Sequence, residues 1–317
     1  MDAVSQIDQS LAPRWVGEDP ASEKVRETAA RLAATASSLL IHGESGTGKD
    51  LLAEIIHYLG PNRSEPLLKI DCATLPEALF ESELFGYEPG AFTGATSTKP
   101  GRLEAAGRGT LVLDEIAALT PAMQSKLLRV VDKRTFERLG GGEQKRLGAR
   151  ICALTGADLE RSVREGSFRE DLYYRLNVVP VGLPPLRERG GDIRPLAEHF
   201  CDQLARRHGR PSHELTSEAL ALLTRYDFPG NVRELRNIIE RAMVAAEGAR
   251  IEARHLPAAL RDSARPDGVQ KLSLAQLERE YIEEILKFTR GRKSEAARIL
   301  GISRKTLLEK RKRFRLD

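Results

Sequence analysis

The chain is poor in cysteine and has no long apolar run. Its three cysteines, Cys72, Cys152 and Cys201, stand too far apart in 317 residues for a disulfide framework or a zinc-ligand set. Each is expected as a small core residue. No apolar stretch approaches the roughly 18–20 residues that span a bilayer, and Met1-Asp2-Ala3-Val4-Ser5-Gln6 lacks the basic flank and apolar core of a leader. Internal repeats and low-complexity tracts are missing as well. These absences exclude a disulfide scaffold, a membrane protein and a repeat array, and they predict a cytoplasmic protein without a membrane partner. What is present is ordinary globular material: 41% hydrophobic residues and 26 glycines, about half of the chain together. At this length the prior is about two domains.

The formal net charge of +4 is unevenly placed. Residues 291–317 hold ten Lys/Arg against three Asp/Glu, a net of +7, which leaves −3 on the preceding 290. Such asymmetry points to a nucleic-acid-binding end on a near-neutral body, with a merely solvated basic terminus as the alternative.

Residues 1–14 form a short polar segment without periodicity. Over residues 15–185, apolar runs at 39–42, 67–71, 110–114, 150–155 and 177–183 alternate with helical patterns, which predicts an α/β parallel sheet. Leu183-Pro184-Pro185-Leu186 breaks that pattern, and residues 186–260 show only helical periodicity, as in a helical lid subdomain. Residues 261–270 read as a linker. Residues 271–317 then open with Leu274, Leu277, Tyr281, Ile285 and Phe288 at helical spacing, and two shorter helices follow.

Directly after the first predicted strand comes Gly43-Glu44-Ser45-Gly46-Thr47-Gly48-Lys49-Asp50, which opens a helix. Glycines let several backbone N–H groups converge on phosphate oxygens, and the helix N-terminus and Lys49 supply positive potential. Asp50 stands where most phosphate loops place Ser or Thr against Mg²⁺, and a carboxylate can also hold that metal. The run Leu111-Val112-Leu113 ends in Asp114-Glu115. At the end of a parallel strand, Asp114 is placed to hold Mg²⁺ and Glu115 to polarise an attacking water. Loop and strand end together predict an enzyme that hydrolyses ATP.

Between these motifs lie Glu83-Leu84-Phe85-Gly86 and Gly90-Ala91-Phe92-Thr93-Gly94-Ala95, the latter a partly apolar loop that is costly on a surface unless something contacts it. The ordered set GESGTGKD, ESELFG, GAFTGA, LDEI, FREDLYYRL, LPPLRER and FPGNVREL resembles the AAA+ domain of sigma-54-dependent transcription activators, the NtrC-like enhancer-binding proteins, over about residues 15–250. The resemblance implies that Gly90, Ala91, Phe92, Thr93, Gly94 and Ala95 contact sigma-54, with Phe92 and Thr93 foremost. It implies that Arg169 and Arg175 reach the γ-phosphate of a neighbouring subunit, and that Arg233 senses nucleotide within its own subunit.

Two positions depart from the family pattern. Asp71 stands where an Asn usually restrains the catalytic Glu, and a carboxylate there would repel Glu115 unless a proton, a water or a cation intervenes. Gly156 follows Thr155 where the family's sensor pair is Thr-Asn, so its side-chain amide is missing. An active but unusual ATPase is expected, with Asp71 and Thr155 in the catalytic neighbourhood.

Ser294 to Leu307 reads as a helix-turn-helix. Ala296 and Ala297 allow a close crossing, Gly301 makes the turn, and Ser303 caps the second helix. On that helix Leu307, Leu308 and Phe314 are expected to be buried. Ser303, Arg304, Lys305, Thr306, Glu309, Lys312 and Arg313 are expected to face DNA. A partner-binding or membrane-surface helix is the alternative. The segment also resembles the Fis-type domain of the same family, whose preceding helix, here about residues 272–288, pairs subunits.

The expectation is a sigma-54-dependent activator with ATP and Mg²⁺ as cofactors. Its partners would be the sigma-54 RNA polymerase holoenzyme, upstream promoter DNA, and further copies of itself in a dimer and a hexameric ring. With about fifteen residues ahead of the ATPase, regulation is expected from synthesis level, from a protein acting in trans, or from a domain outside this sequence. Two competing readings are a DNA-binding regulator that kept the AAA+ scaffold without remodelling sigma-54, and a remodeller unrelated to transcription.

Overall fold

Short runs of Leu, Ile and Val assemble into a five-stranded parallel sheet whose strands lie in the order 67–71, 110–114, 150–155, 39–42 and 179–182. The strands are β1 (Leu39–His42), β2 (Leu67–Asp71), β5 (Thr110–Asp114), β8 (Arg150–Thr155) and β9 (Val179–Gly182). The computed structural model describes residues 13–209, 212–246, 248–262, 279, 281–282, 285–286, 289 and 292–314. It divides into two compact units, Met1–Ser263 and Ala264–Asp317.

Near-continuous apolar strands are what a parallel sheet covered on both faces requires. Helices α1 (Pro20–Ala33) and α2 (Lys49–Leu59) cover one face, where Val25, Leu32, Leu52 and Ile56 pack on Leu39, Ile41, Val112 and Leu154. On the other face α3 (Glu77–Phe85), α5 (Pro121–Lys133) and α7 (Glu170–Leu176) bring Phe80, Leu84, Leu127 and Leu172 onto Leu40, Leu111, Leu113 and Ile151. Leu40 and its neighbour Ile41 thus serve opposite faces, as the two-residue period of a strand dictates. Helix starts follow local chemistry: Asp19 caps α1 and Thr120 caps α5, each ahead of a proline at the first turn.

The last predicted strand is shorter than expected. Residue 177 belongs to the end of α7, where Asn177 Nδ2 donates to the Tyr173 hydroxyl at 2.8 Å. The lid comprises α8 (Ile193–His208), α9 (Ser217–Thr224) and α10 (Asn231–Ala245) around Leu196, Phe200, Phe228, Leu235 and Ile239. It also contains a two-residue parallel pair, Glu214–Leu215 with Arg250–Ile251, too short to leave a periodicity in the sequence. A last helix, Ala258–Asp262, runs into the segment read as linker.

In the second unit, helices Lys293–Ile299 and Arg304–Phe314 flank Gly301, whose φ is +69°. Ala296, Ala297 and Leu307 are buried together with Ile282. Most of the preceding helix expected over 272–288 lies outside the described residues.

The register sets the site. Asp71 pairs with Asp114 and His42 with Thr155, so the carboxyl ends of β2, β5, β8 and β1 share one edge. Ligands of open α/β sheets bind at this edge.

Candidate functional site

Residues 43–48 leave β1 and turn back into α2 at that edge. Gly43 N–H donates to the Thr155 carbonyl at 3.2 Å, which ties the loop to β8. The buried Thr47 hydroxyl donates to Glu44 O at 2.8 Å. The Lys49 ammonium, also buried, donates to Gly43 O at 2.9 Å and Glu44 O at 3.3 Å. A cation inside a ring of main-chain groups at a helix N-terminus is arranged for anionic oxygens. A cleft of about 460 Å³ adjoins the loop, lined by His42, Gly43, Glu44, Thr155, Gly156 and Asn177 among others.

The two expected metal carboxylates converge on one cation. Lys69 Nζ, on β2, lies 2.5 Å from Asp50 Oδ1 and 2.8 Å from Asp114 Oδ2. Burial works against the charged ammonium, but hydrogen bonds to Asp114 and Asp50 outweigh it and raise the pKa of Lys69 above the ordinary lysine value. A site that already gathers two carboxylates around a cation fits Mg²⁺, which proteins hold with one or two carboxylates plus substrate phosphates. Lys69 has no motif of its own, and the sequence reading missed it.

Glu115 sits just past β5 in the left-handed region, at φ 50° and ψ 50°. Its N–H donates to Asp114 Oδ1 at 3.0 Å, and its carboxylate accepts a long bond of 3.4 Å from Gly156 N–H. Gly156 thus lacks an amide side chain yet meets Glu115 through its backbone. Asp71 Oδ1 accepts from Ala73 N–H at 2.8 Å and Thr74 N–H at 3.2 Å, closing the turn after β2. Thr155 Oγ1 is similarly occupied locally, accepting from Ala157 N–H at 3.0 Å.

The lid is fastened to the phosphate loop by Arg187 of LPPLRER and by Asn231 and Arg233 of FPGNVREL, of which Arg233 alone was expected at the nucleotide. The Arg187 fork donates to both Glu44 oxygens, at 2.7 and 3.0 Å. Fully buried Asn231 donates to Ser45 O at 3.0 Å and Glu44 Oε2 at 3.1 Å and accepts from Leu186 N–H at 2.7 Å. The Arg187 and Asn231 hydrogen bonds pull the pKa of Glu44 down to about 2. Arg233 reaches Ser45 Oγ at 2.8 Å, and Val232 N–H donates to Gly46 O at 3.0 Å. Gly46 is obligatory here, because a Cβ on it would lie 2.3 Å from Gly230 O.

The loop 90–95 hangs on a short antiparallel stem, β3 (Gly86–Tyr87) with β4 (Lys99–Pro100). It is closed by Gly90 N–H donating to Ala95 O at 2.8 Å. Phe92 is 47% exposed and meets Tyr87 edge-on at 4.9 Å. Thr93 is exposed and Ala95 buried.

The Sigma-54 interaction domain family matches residues 15–182, the AAA+ ATPase lid domain residues 187–272, and the Bacterial regulatory protein, Fis family, residues 273–314. The chain belongs to the sigma-54-dependent activators. The chain is 41% identical to Regulatory protein AtoC of Escherichia coli, over 99% of its own length and 71% of that protein's. With Transcriptional regulatory protein ZraR of the same organism the identity is 45%, over 93% and 67%. It spans only 57% of Nitrogen fixation protein AnfA of Azotobacter vinelandii, at 43% identity over 94% of this chain. Among solved structures, NtrX from Brucella abortus in complex with ATP matches at 35% identity with a TM-score of 0.74, over 96% of this chain and 70% of that one. An Hsp104 reconstruction shares the AAA+ fold at 19% identity and a TM-score of 0.53, over 71% and 44%.

In this activator the two expected finger arginines are exposed and paired away from the phosphate loop. Arg169 is held by Asp171 at 2.7 and 3.0 Å and touches Ser125 Oγ at 3.3 Å, while Arg175 pairs with Asp132. In the helix-turn-helix, Ser303 Oγ accepts from Thr306 N–H at 3.0 Å, as expected of a cap. Arg304 and Lys305 are exposed. Leu308 departs from the expectation, being 42% exposed. It follows Leu307 by about 100° of helix, far enough to leave the buried stripe. The side chains of Glu309, Lys312 and Arg313 lie outside the described residues. All three cysteines are buried and free. Among the described residues no helix is long and apolar enough to cross a membrane.

Proposed function

We propose that this chain binds upstream promoter DNA and, as an ATP-hydrolysing hexameric ring, remodels the sigma-54 RNA polymerase closed complex into an open one. The observation that carries the reading is the Gly90–Ala95 loop. It offers Phe92 and Thr93 to solvent from the unit that also holds Lys49, Asp114 and Glu115. An exposed aromatic on a glycine-bounded tip calls for a partner, and the family match supplies sigma-54.

Lys49 and N–H groups of the turn 44–48 bind the phosphates. Mg²⁺, held by Asp114 and Asp50 in place of the Lys69 ammonium, would neutralise phosphate charge. Glu115, whose carboxylate meets Gly156 N–H, orients the water for in-line attack. Exposed Arg169 and Arg175 suit contribution in trans, since arginine fingers stabilise charge at a neighbour's γ-phosphate. Hydrolysis therefore needs self-association. Ser303, Arg304, Lys305 and Thr306 lead the DNA-facing set, completed by Glu309, Lys312 and Arg313. A dimer through the helix at 272–288 would match paired half-sites.

The test is complex formation with sigma-54 in the presence of ADP and aluminium fluoride. Wild type should form the complex, and Phe92→Ala should lose it while keeping its ATPase rate. A wild type that hydrolyses ATP but never captures sigma-54, under conditions where an authentic activator does, would sink this reading in favour of a DNA-binding regulator without remodelling activity.

A further inference from the structure

One buried cluster joins the chain ahead of α1 to the phosphate loop. Arg189, 1% exposed, donates from Nη2 to the Thr47 carbonyl at 2.7 Å. Its other terminal nitrogen, Nη1, lies 3.4 Å from Asp192 Oδ2, and its guanidinium stands 5.3 Å from the Trp15 ring centroid. Asp192, fully buried, accepts from Glu18 N–H at 2.8 Å and Asp19 N–H at 2.9 Å, and from the Ser22 hydroxyl. Trp15 lies over the loop, since a Cβ on Gly48 would come within 3.5 Å of its ring. Residues 15–22 therefore reach Gly48 through the Trp15 ring, and Thr47 through Asp192 and Arg189 of the segment that enters the lid.

The charges explain why the cluster acts as one body. A buried guanidinium and a buried carboxylate each depend on the other, and removing one leaves an uncompensated charge. Trp15 Nε1 and Arg189 Nε are buried without a hydrogen-bond partner among the described residues. The guanidinium's hold therefore rests on Thr47 O, Asp192 and the indole face. Glu18 and Asp19 N–H bond Asp192, and Arg189 bonds both Asp192 and the Thr47 carbonyl, so one unbroken path of hydrogen bonds runs from that chain to the phosphate loop.

We infer that Arg189 is a positioning residue for the nucleotide. Through Asp192 and Trp15 it makes the loop's phosphate-binding shape depend on where residues 15–19 lie. This rests on the nucleotide-site reading above and adds to it a route by which anything displacing the chain ahead of α1 alters nucleotide affinity.

Gly17 permits a test that leaves Arg189 and Asp192 themselves unaltered. A Cβ there would lie 2.6 Å from Asp192 Oδ1, so Gly17→Ala must move the carboxylate. In the full chain, Gly17→Ala and Arg189→Met should each weaken binding of a fluorescent ADP by about tenfold, the scale of one lost charge-assisted hydrogen bond. Arg189→Lys should recover part of the loss. Far-ultraviolet circular dichroism controls for folding. Trp15, the single tryptophan, supplies a readout on the unaltered protein: its emission should change on adding ADP with Mg²⁺, and also on adding tripolyphosphate with Mg²⁺, which carries no base. Emission that responds to ADP but not to tripolyphosphate would make Trp15 a base contact and overturn the relay. So would tight ADP binding with silent tryptophan and unchanged affinity in a folded Gly17→Ala variant. If ADP and tripolyphosphate both fail to bind the wild type, the nucleotide-site reading fails and this one falls with it.

Discussion

Asn231 offers the sharpest test of how the lid is held. It begins α10 fully buried at φ +52°. Its amide oxygen accepts from Leu186 N–H at 2.7 Å, and its amide nitrogen donates to Ser45 O at 3.0 Å. Alanine would strand the Leu186 N–H, a loss of about 1–3 kcal/mol, and remove the Ser45 bond, worth about 1 kcal/mol. It would also place a side chain without local hydrogen bonding in the left-handed region, at about 1 kcal/mol more. The contact to Glu44, 42% exposed, is left out of the sum. Together the loss is about 3–5 kcal/mol, large for one substitution. Glycine should recover about 1 kcal/mol of it, because it adopts this backbone freely. Urea unfolding of the full chain, followed by circular dichroism with ADP affinity in parallel, measures both effects. Alanine and glycine variants that unfold within about 0.5 kcal/mol of wild type, the scatter of neutral surface changes, would refute the latch.

The departures at Gly156 and Asp71 are separable. A Cβ on Gly156 meets Glu115 and Lys49 at an ordinary 3.7 Å. Gly156→Asn should therefore fold normally and change the ATPase kcat by up to about tenfold, the worth of one hydrogen bond to a charged group. Asp71→Asn keeps an oxygen for Ala73 and Thr74 and should leave stability unchanged, checked by thermal melting. The depressed pKa of Glu44 sets a pH dependence: in the fold it is about 2, against 4.5 for an ordinary glutamate carboxyl. Its contribution to the latch is complete above about pH 4.5 and is lost as pH falls towards 2. Lid opening in that window, read by protease sensitivity, should shift to higher pH in Arg187→Ala. Replacing both Arg304 and Lys305 by alanine should lower the salt dependence of promoter binding, by about 0.9 logarithmic slope units for each phosphate no longer neutralised, without altering ATPase turnover.

Much of the site was legible because its chemistry is local. A glycine-rich turn after an apolar strand, an Asp-Glu pair at a strand end and a glycine-bounded Phe-Thr tip each declare themselves within ten residues. Lys69 and Asp192 did not, and although Arg187 and Arg189 stand in LPPLRER and Asn231 in FPGNVREL, nothing in those motifs names their partners. Each acts on a partner distant in sequence, such as Asp192 on Ser22 or Asn231 on Ser45, and polar residues in helix ends and turns carry no periodicity. Leu308 shows the same limit at short range: an apolar residue beside the buried stripe was read as part of it, and one helical step decided otherwise.

Composition, order of motifs and hydrophobic period were enough to set the parallel sheet, its phosphate loop and the basic end, since those follow from backbone hydrogen bonding and apolar burial that any neighbourhood rewards. Which charges meet was decided only by the tertiary structure. The pairing of Asp50 with Asp114 on one ammonium, and of Asp192 with Arg189 beneath the phosphate loop, depends on distances of a few ångströms. For the buried Arg189–Asp192 pair, at low dielectric, that distance determines whether each charge is stabilised or excluded.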